Sequence, residues 1–212
     1  AQGNDGGPNE SVLSRMPAEL QVEFIVRHYG VVSYSKQLRR RLPQNTMREH
    51  GSDKALLELL RNCAVLVAGN WVLKSELAGF TGNEALARDM LLCLLTRKKG
   101  AISKEEYEKW AGVFKMVTQQ SARDEMTRGV AVLEKTDTGG VCRMKNPADA
   151  DFERRFPDIS REYSDWWDQH RQDIVRQLQA AGRDAGGGQL VARQAAHQQA
   201  QQAAVARQRS RL

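Results

Sequence analysis

The sequence has 212 residues, of which 41% are hydrophobic and 27% charged, a composition that predicts one large or two small globular domains. The formal net charge of +6 suggests a nucleic-acid partner, but segment 189–212 holds four arginines and no acid, so residues 1–188 carry only +2. No run of eighteen apolar residues occurs, and the first twelve residues are polar without a basic start, so neither a membrane span nor a signal peptide is predicted.

The apolar pattern predicts a mostly α fold with small β-hairpins, arranged as tandem winged-helix-like domains plus a C-terminal helix. The repeat is predicted from the order of the elements, not from residue identity. The predicted segments are a disordered start (1–12), a first winged-helix-like domain (13–79), a second (80–148), a C-terminal helical extension (149–182) and a flexible Gly then Gln/Ala/Arg tail (183–212).

The first domain is predicted to contain three helices and then a two-stranded hairpin, the order of a winged helix. Its first helix is expected to place Leu20, Phe24 and Val26 on or near one apolar face and to end at Gly30. Pro43 ends the second, basic helix. The predicted elements are helices 17–28, 34–41 and 52–62, strands 64–68 and 71–74, and a turn at Gly69-Asn70.

The second domain is predicted to repeat that order. Ser103 and Glu106 form a capping box before a helix that carries Tyr107, Trp110 and Val113 on one side. The other predicted elements are a helix over 84–95, an extended link at 101–102, a helix over 121–129, strands 130–134 and 141–144, and a turn at 137–140.

The extension is predicted to start at Asp149, to break at Pro157 and to continue as a long helix over about 160–181. This helix is expected to brace the second domain. Its amphipathic stripe consists of Tyr163, Trp166, Trp167, His170, Ile174 and Leu178.

No catalytic motif is present: the sequence has no phosphate-binding Walker loop, no Gly-x-Ser-x-Gly and no His-Glu-x-x-His. Cys63, Cys93 and Cys142 are far apart, so we expect buried thiols in a reducing compartment rather than zinc ligands or disulfides. The four histidines have no partner at ligand spacing, and the acids at 149, 151 and 153 are typical of a helix N-terminus. We therefore predict no enzyme activity, no cofactor and no small-molecule substrate.

The hairpin 69–77 (Gly-Asn-Trp-Val-Leu-Lys-Ser-Glu-Leu) resembles the fifth-subunit family of eukaryotic RNA polymerase III, whose run is Gly-x-Trp-Val-aliphatic-Lys-Ser-acid-aliphatic. Weaker likeness continues in order over about 15–180. It includes Arg88-Asp89, Val130-Ala131-Val132, Phe152, Pro157-Asp158 and Trp167.

The resemblance implies a C-terminal region with tandem winged helices, in a subunit whose dimerisation barrel pairs with the fourth subunit of the polymerase. That barrel is absent from this sequence, and the sequence does not begin with Met, so we expect a fragment or a processed product. The Gln/Ala/Arg tail matches no feature of the family.

Three tryptophans are candidate protein-interface residues, because exposed Trp is enriched at binding hot spots: Trp71, Trp166 and Trp167. The alternative for Trp71 is packing against the core of its own domain. Candidate nucleic-acid contacts are Lys36, Arg39, Arg40 and Arg41 on the basic helix and Lys135, Arg143 and Lys145 on the second hairpin. The third helix of each domain, which enters the DNA groove in helix-turn-helix proteins, is near neutral and does not look like a base reader.

The sequence therefore predicts a non-catalytic structural or assembly module of nuclear RNA polymerase III, which makes transfer RNA and other small RNAs. Its expected partners are other subunits of that polymerase, with at most weak DNA contact. The alternative is a winged-helix DNA-binding regulator that uses the basic helix at 36–41.

Overall fold

The computed structural model describes residues 10–114, 119–135 and 140–180, and it confirms a mostly α fold with two small antiparallel sheets. Of the predicted disordered start at 1–12, residues 10–12 instead belong to a short helix, Glu10–Leu13. Residues 1–9, most of the predicted turn at 137–140, His197 and the predicted tail lie outside the described residues. None of the described helices is both long and apolar enough to cross a membrane.

The first half of the chain contains five α-helices, one π-helical segment and a three-stranded sheet. The helices are α1 (Glu10–Leu13), α2 (Ala18–Tyr29), a π-helix (Tyr34–Leu38) that runs into α3 (Arg39–Arg41), α4 (Gln44–His50) and α5 (Asp53–Cys63). The strands are β1 (Val31–Val32), β2 (Ala64–Val67) and β3 (Asn70–Leu73), in the order β1-β3-β2. Helix α4 was not predicted, because its polar residues lack an apolar period.

Helix α2 has a different buried face from the predicted one. Val22, Ile25 and Val26 are fully buried, whereas Leu20 and Phe24 remain 48% and 39% exposed. The spacing of 22, 25 and 26 defines one helical face, and residues 20 and 24 lie four apart on another. Helix α2 therefore has two large apolar side chains, Leu20 and Phe24, that lie outside its core-facing side and remain partly exposed.

The first hairpin turns one residue earlier than predicted, at Ala68-Gly69. Val67 pairs with Asn70, and the two residues between them have φ of 47° and 78°. Positive φ at both central residues matches the right-handed twist of the flanking strands. Gly69 is also tight against the main chain, since an added Cβ would lie 2.5 Å from the carbonyl oxygen of Asp149.

The second half repeats the pattern with three helices and a second three-stranded sheet. The helices are α6 (Gly82–Arg97), α7 (Lys104–Val113) and α8 (Gln120–Thr127). The strands are β4 (Ala101–Ser103), β5 (Ala131–Glu134) and β6 (Val141–Met144), in the order β4-β6-β5.

Helix α7 begins at the predicted capping box, in which Ser103 Oγ accepts from the backbone N–H of Glu106. Tyr107 and Trp110 are buried as predicted, but Val113 is 55% exposed. Trp110 donates its indole N–H to the carbonyl of Ala87 at 2.8 Å, which joins α7 to α6.

The extension consists of α9 (Ala150–Arg155) and α10, which covers 157–180 of the described residues. Its aromatic residues pack into the core of the first predicted domain. Phe152 belongs to that core, and Phe156, Ile159 and Tyr163 pack against it. The extension also contacts the second predicted domain, where Cys93 of α6 donates to the carbonyl of Trp167 and Lys99 pairs with Glu153. The spacing of apolar residues in the sequence predicts the apolar side of α10, but it does not predict which part of the molecule that side contacts.

Both sheets belong to one compact unit, which ends at Asp168. Gly30, with φ of 74°, approaches Gly129 so closely that a Cβ on Gly30 would lie 2.0 Å from its carbonyl oxygen. Asn146 donates to the carbonyl of Val31 and to the side chain of Gln37. A second unit begins at Gln169, and in it Asp173 pairs with Arg176.

Candidate interaction surfaces

Trp71 lies in the interior and not on an interface. Its side chain is fully buried and meets the rings of Phe152 and Tyr163 edge-on, with centroid distances of 5.9 and 5.5 Å. Within the described residues its indole N–H has no hydrogen-bond partner. Trp71 therefore has no exposed side-chain surface for a partner in this fold. It packs in the core of the first domain, which was the alternative to the predicted interface role.

Trp167 is also buried, at 1% exposure, and covers an edge of the first sheet. Its indole N–H donates to the carbonyl of Leu66 at 2.7 Å. Trp166 keeps 41% of its surface exposed. Of the three predicted tryptophans, Trp166 alone can offer a substantial side-chain surface to a partner.

The extension also lies along α5, the third helix of the first predicted domain. At the start of α5, Arg155 donates to Asp53 at 2.6 Å, and at its end Arg61 forms two hydrogen bonds to Glu162 at 2.9 and 2.6 Å. The two ion pairs are in the same order along both segments, so the extension follows α5 over two turns. The helix that would enter a DNA groove is therefore already engaged on this side.

Arg39 belongs to a buried polar cluster at the start of α5. It donates to the Asp53 carboxylate at 2.8 Å and to the carbonyl of Gly51 at 2.9 Å. The hydroxyl of Tyr34 donates to the same carboxylate at 2.7 Å. Burial, together with the neighbouring carboxylate, raises the pKa of Tyr34 to about 12. Arg39 is thus half-buried and already paired with Asp53, which leaves less of its charge for the predicted phosphate contact.

The other basic residues of this segment have different environments. The guanidinium of Arg41 lies over the ring of Tyr29, 4.9 Å from its centroid. Lys36 and Arg40 have exposed side chains. Lys36 lines a groove of about 160 Å³ next to Asn146. These side chains do not form one continuous basic face with Arg39.

The second hairpin carries the remaining predicted nucleic-acid contacts. Arg143 pairs with Glu134 at 3.2 Å on the neighbouring strand. Lys135 and Lys145 are exposed. On α8, Arg123 pairs with Glu108 of α7 at 2.7 Å. The basic groups of this hairpin are thus only partly available to an anion.

One buried polar cluster was missed by the site predictions, although its residues were noted in the resemblance. Arg88 is 3% exposed and donates to the carbonyl of Leu73 at 3.0 Å and to Ser75 Oγ at 2.9 Å. The Ser75 hydroxyl donates to Asp89. Burial lowers the pKa of Arg88 to about 10. The Lys-Ser-acid run and the Arg-Asp pair therefore join the first hairpin to α6.

Among the described residues, no group of three or more His, Cys, Asp or Glu side chains could hold a metal ion. The acids at the start of the extension have structural partners. Asp149 accepts from the backbone N–H of Phe152 at 3.1 Å as a helix cap, and Glu153 pairs with Lys99 at 2.9 Å. Cys63 and Cys142 are buried, which raises the pKa of each thiol to about 11.

Comparison with known proteins gives one family. The family described as RPC5 protein matches residues 4–176, which covers both sheets and most of the extension. No curated protein matches the chain.

Proposed function

The chain belongs to the RPC5 protein family, a family of RNA polymerase III subunits, and from this premise we propose that it is a non-catalytic module that helps to assemble or stabilise that enzyme. Its partners are other polymerase subunits, and it works in the nucleus, in the synthesis of transfer RNA and other small RNAs. It acts through protein contacts and supplies no reacting group.

The observation that carries this proposal is the position of the extension on α5. Ion pairs at both ends of α5, Arg155 with Asp53 and Arg61 with Glu162, hold the extension along the helix. A helix used for base readout needs an open face with Arg or Lys directed at the groove. A protein scaffold has no such requirement, and its surfaces are free to contact other subunits.

The proposal is tested by replacement in cells. The endogenous subunit is depleted and replaced by the full-length protein, either intact or without the region 10–180. We expect the truncated form to lower the amount of complete polymerase on a sedimentation gradient. Any purified complete enzyme should still extend a primed RNA on a scaffold at the same rate per molecule. Normal assembly without the region, or a loss of elongation in intact complexes, would contradict the proposal.

The alternative is a DNA-binding regulator, favoured by the exposed basic side chains of Lys36, Arg40, Lys135 and Lys145. Binding driven by phosphate contacts weakens steeply as the salt concentration rises. Measuring the DNA affinity of the chain against salt concentration therefore distinguishes a DNA-binding regulator from an assembly module.

A further inference from the structure

The two edge strands β2 and β5 share a sequence that the predicted repeat did not include. Arg-x-x-Ala-Val-Leu occurs at 61–66 and again at 128–133. The return strand of each hairpin is also followed directly by a lysine, Lys74 in the first and Lys145 in the second.

The backbone places these two motifs in equivalent positions. The N–H of Lys74 donates to the carbonyl of Cys63 at 3.0 Å, and the N–H of Lys145 donates to the carbonyl of Val130 at 2.9 Å. Hydrogen-bonded pairs alternate along an antiparallel ladder. Leu66 and Leu133 therefore both turn their backbone groups away from the sheet, toward its outer edge.

In the first hairpin, α10 covers this edge. Glu162 pairs with Arg61, and Trp167 donates to the carbonyl of Leu66. Val65 and Leu66 are only 6% and 4% exposed, and Leu66 also belongs to the core cluster of the first half. The surrounding groove, about 210 Å³, is lined by Arg61, Val65, Lys74, Glu162, Tyr163 and Trp166.

In the second hairpin, the same edge is bare. Val132 and Leu133 are 41% and 49% exposed. Within the described ranges, no ion pair engages Arg128 or Lys145, and no backbone hydrogen bond reaches the outer side of β5. Arg128, Val132 and Lys145 line a groove of about 400 Å³, with Tyr107 and Cys142 at its apolar side.

We propose that this groove binds an amphipathic α-helix of a partner protein that carries the side-chain pattern of α10. In this pattern an acidic residue pairs with Arg128, and aromatic residues one and four positions later pack over Val132. An indole N–H donates to the carbonyl of Leu133. The first hairpin supplies each of these contacts as an intramolecular precedent. Arg128 and Lys145, both exposed, outnumber the one acid of the groove lining, Asp124, and favour an acidic residue of the partner by charge complementarity.

Among the described helices, α7 repeats the acid and aromatic spacing of α10 in Glu106, Tyr107 and Trp110, but both of its aromatic side chains are buried and Glu106 pairs with Lys98. The sequence after Gln189 contains neither an acidic nor an aromatic residue. The acid and aromatics of α10 already occupy the first hairpin. The described helices therefore do not supply the occupant, which we assign to a partner protein. The proposal rests on the assembly function and deepens it by naming the chemistry of one contact.

The test uses a synthetic peptide with the sequence of residues 158–172, labelled at its N-terminus, added to the 212-residue chain. We expect saturable binding, with amide shifts in two-dimensional NMR centred on 128–133 and 145. Arg128→Glu should weaken binding by about tenfold, because it places two anions together. Val132→Asp should do the same, whereas Lys109→Glu, the same charge change on an exposed site outside the groove, should change it less than about twofold.

Charge reversal across the contact makes the test specific. A peptide with Arg in place of Glu162 should bind the Arg128→Glu chain better than it binds the wild type. If the binding depends on Arg61 and not on Arg128, the peptide has only replaced α10 on the first hairpin, and the proposal is wrong.

Three further outcomes would overturn it. One is the absence of saturable binding at millimolar peptide. Another is a concentration-dependent dimer whose interface shifts map to 128–133, which would identify a second copy as the occupant. The third is binding of duplex DNA that Arg128→Glu and Lys145→Glu abolish while the peptide does not bind. None of these measurements depends on polymerase assembly. They can therefore overturn the groove proposal while the proposed assembly function stands.

Discussion

At the scale of single residues, the aromatic side chains hold the extension to the first domain. Trp71, Phe152 and Tyr163 form a series of edge-to-face contacts, and Tyr34 continues it through Phe152 at 5.8 Å. Such pairs add about 0.5–1.5 kcal/mol each to the free energy gained from burial. The segment that most resembles the polymerase family therefore has its tryptophan at the centre of the fold.

Trp71→Ala is expected to lower the free energy of unfolding by about 3–5 kcal/mol, because it leaves a cavity among Phe152 and Tyr163. Trp166→Ala, at a side chain 41% exposed, should cost less than about 1 kcal/mol. Chemical denaturation of both variants, followed by circular dichroism, measures the difference. Equal losses would show that Trp71 is not the packing centre inferred from its burial.

Tyr34 gives the stability a dependence on alkaline pH. Its folded pKa, about 12, exceeds its ordinary value of 10.0, mainly through burial and secondarily through its bond to Asp53. The stabilisation by the neutral hydroxyl is fully present below pH 10 and is lost as the pH rises toward 12. Denaturant midpoints at pH 8, 10 and 11 should therefore fall more steeply for the wild type than for Tyr34→Phe. Parallel slopes would contradict this assignment.

At the scale of elements, α10 serves the first hairpin and α5 together. Its polar side reaches Arg61 through Glu162, while Trp167 covers the carbonyl edge of β2. Without α10 that edge would present unpaired backbone groups and apolar side chains, a known risk for aggregation. The extension therefore covers the first hairpin and α5, while Cys93 of α6 and the nearby Lys99 also bond to it.

Reversal of one charge in the Arg61–Glu162 pair is expected to destabilise the chain, and reversal of both is expected to restore it. Arg61→Glu or Glu162→Arg alone should cost about 0.5–1 kcal/mol, since both side chains are partly exposed and solvent weakens the pair. The double variant should recover most of that loss, as a double-mutant cycle of unfolding free energies would show. Strict additivity of the two single changes would mean that the pair is not coupled.

At the scale of the whole molecule, the high isoelectric point does not identify a DNA-binding fold. Residues 1–188 carry a net charge of +2, and the basic groups of the described part are partly engaged, as Arg39 with Asp53 and Arg143 with Glu134 show. The excess charge lies in segment 189–212.

Deletion of residues 189–212 should therefore remove most of the affinity for duplex DNA. We expect the full chain to bind weakly, with a dissociation constant that rises steeply between 50 and 200 mM salt, as for contacts to phosphate alone. The shortened chain should bind at least about tenfold more weakly at low salt. Retention of sequence-selective binding by the shortened chain would favour the DNA-binding alternative.

The sequence by itself determined the order of helices and strands apart from α1 and α4, the Ser103 capping box and the buried character of Trp110. These depend on residues close together in the chain, through periodicity, capping and turn chemistry. It also carried the family resemblance in the Trp71 hairpin, which the RPC5 match confirms.

Only the tertiary structure decided which surfaces these elements share. It placed α10 on the first domain, buried Trp71 and Trp167, exposed Leu20 and Phe24, and left the β5 edge bare. The spacing of apolar residues along a helix fixes which of its sides is apolar. The element that this side packs against depends on contacts between residues about a hundred positions apart, such as Trp167 with Leu66. Within the part of the chain that the structure describes, the same Ala-Val-Leu run is therefore covered by α10 in the first hairpin and exposed in the second.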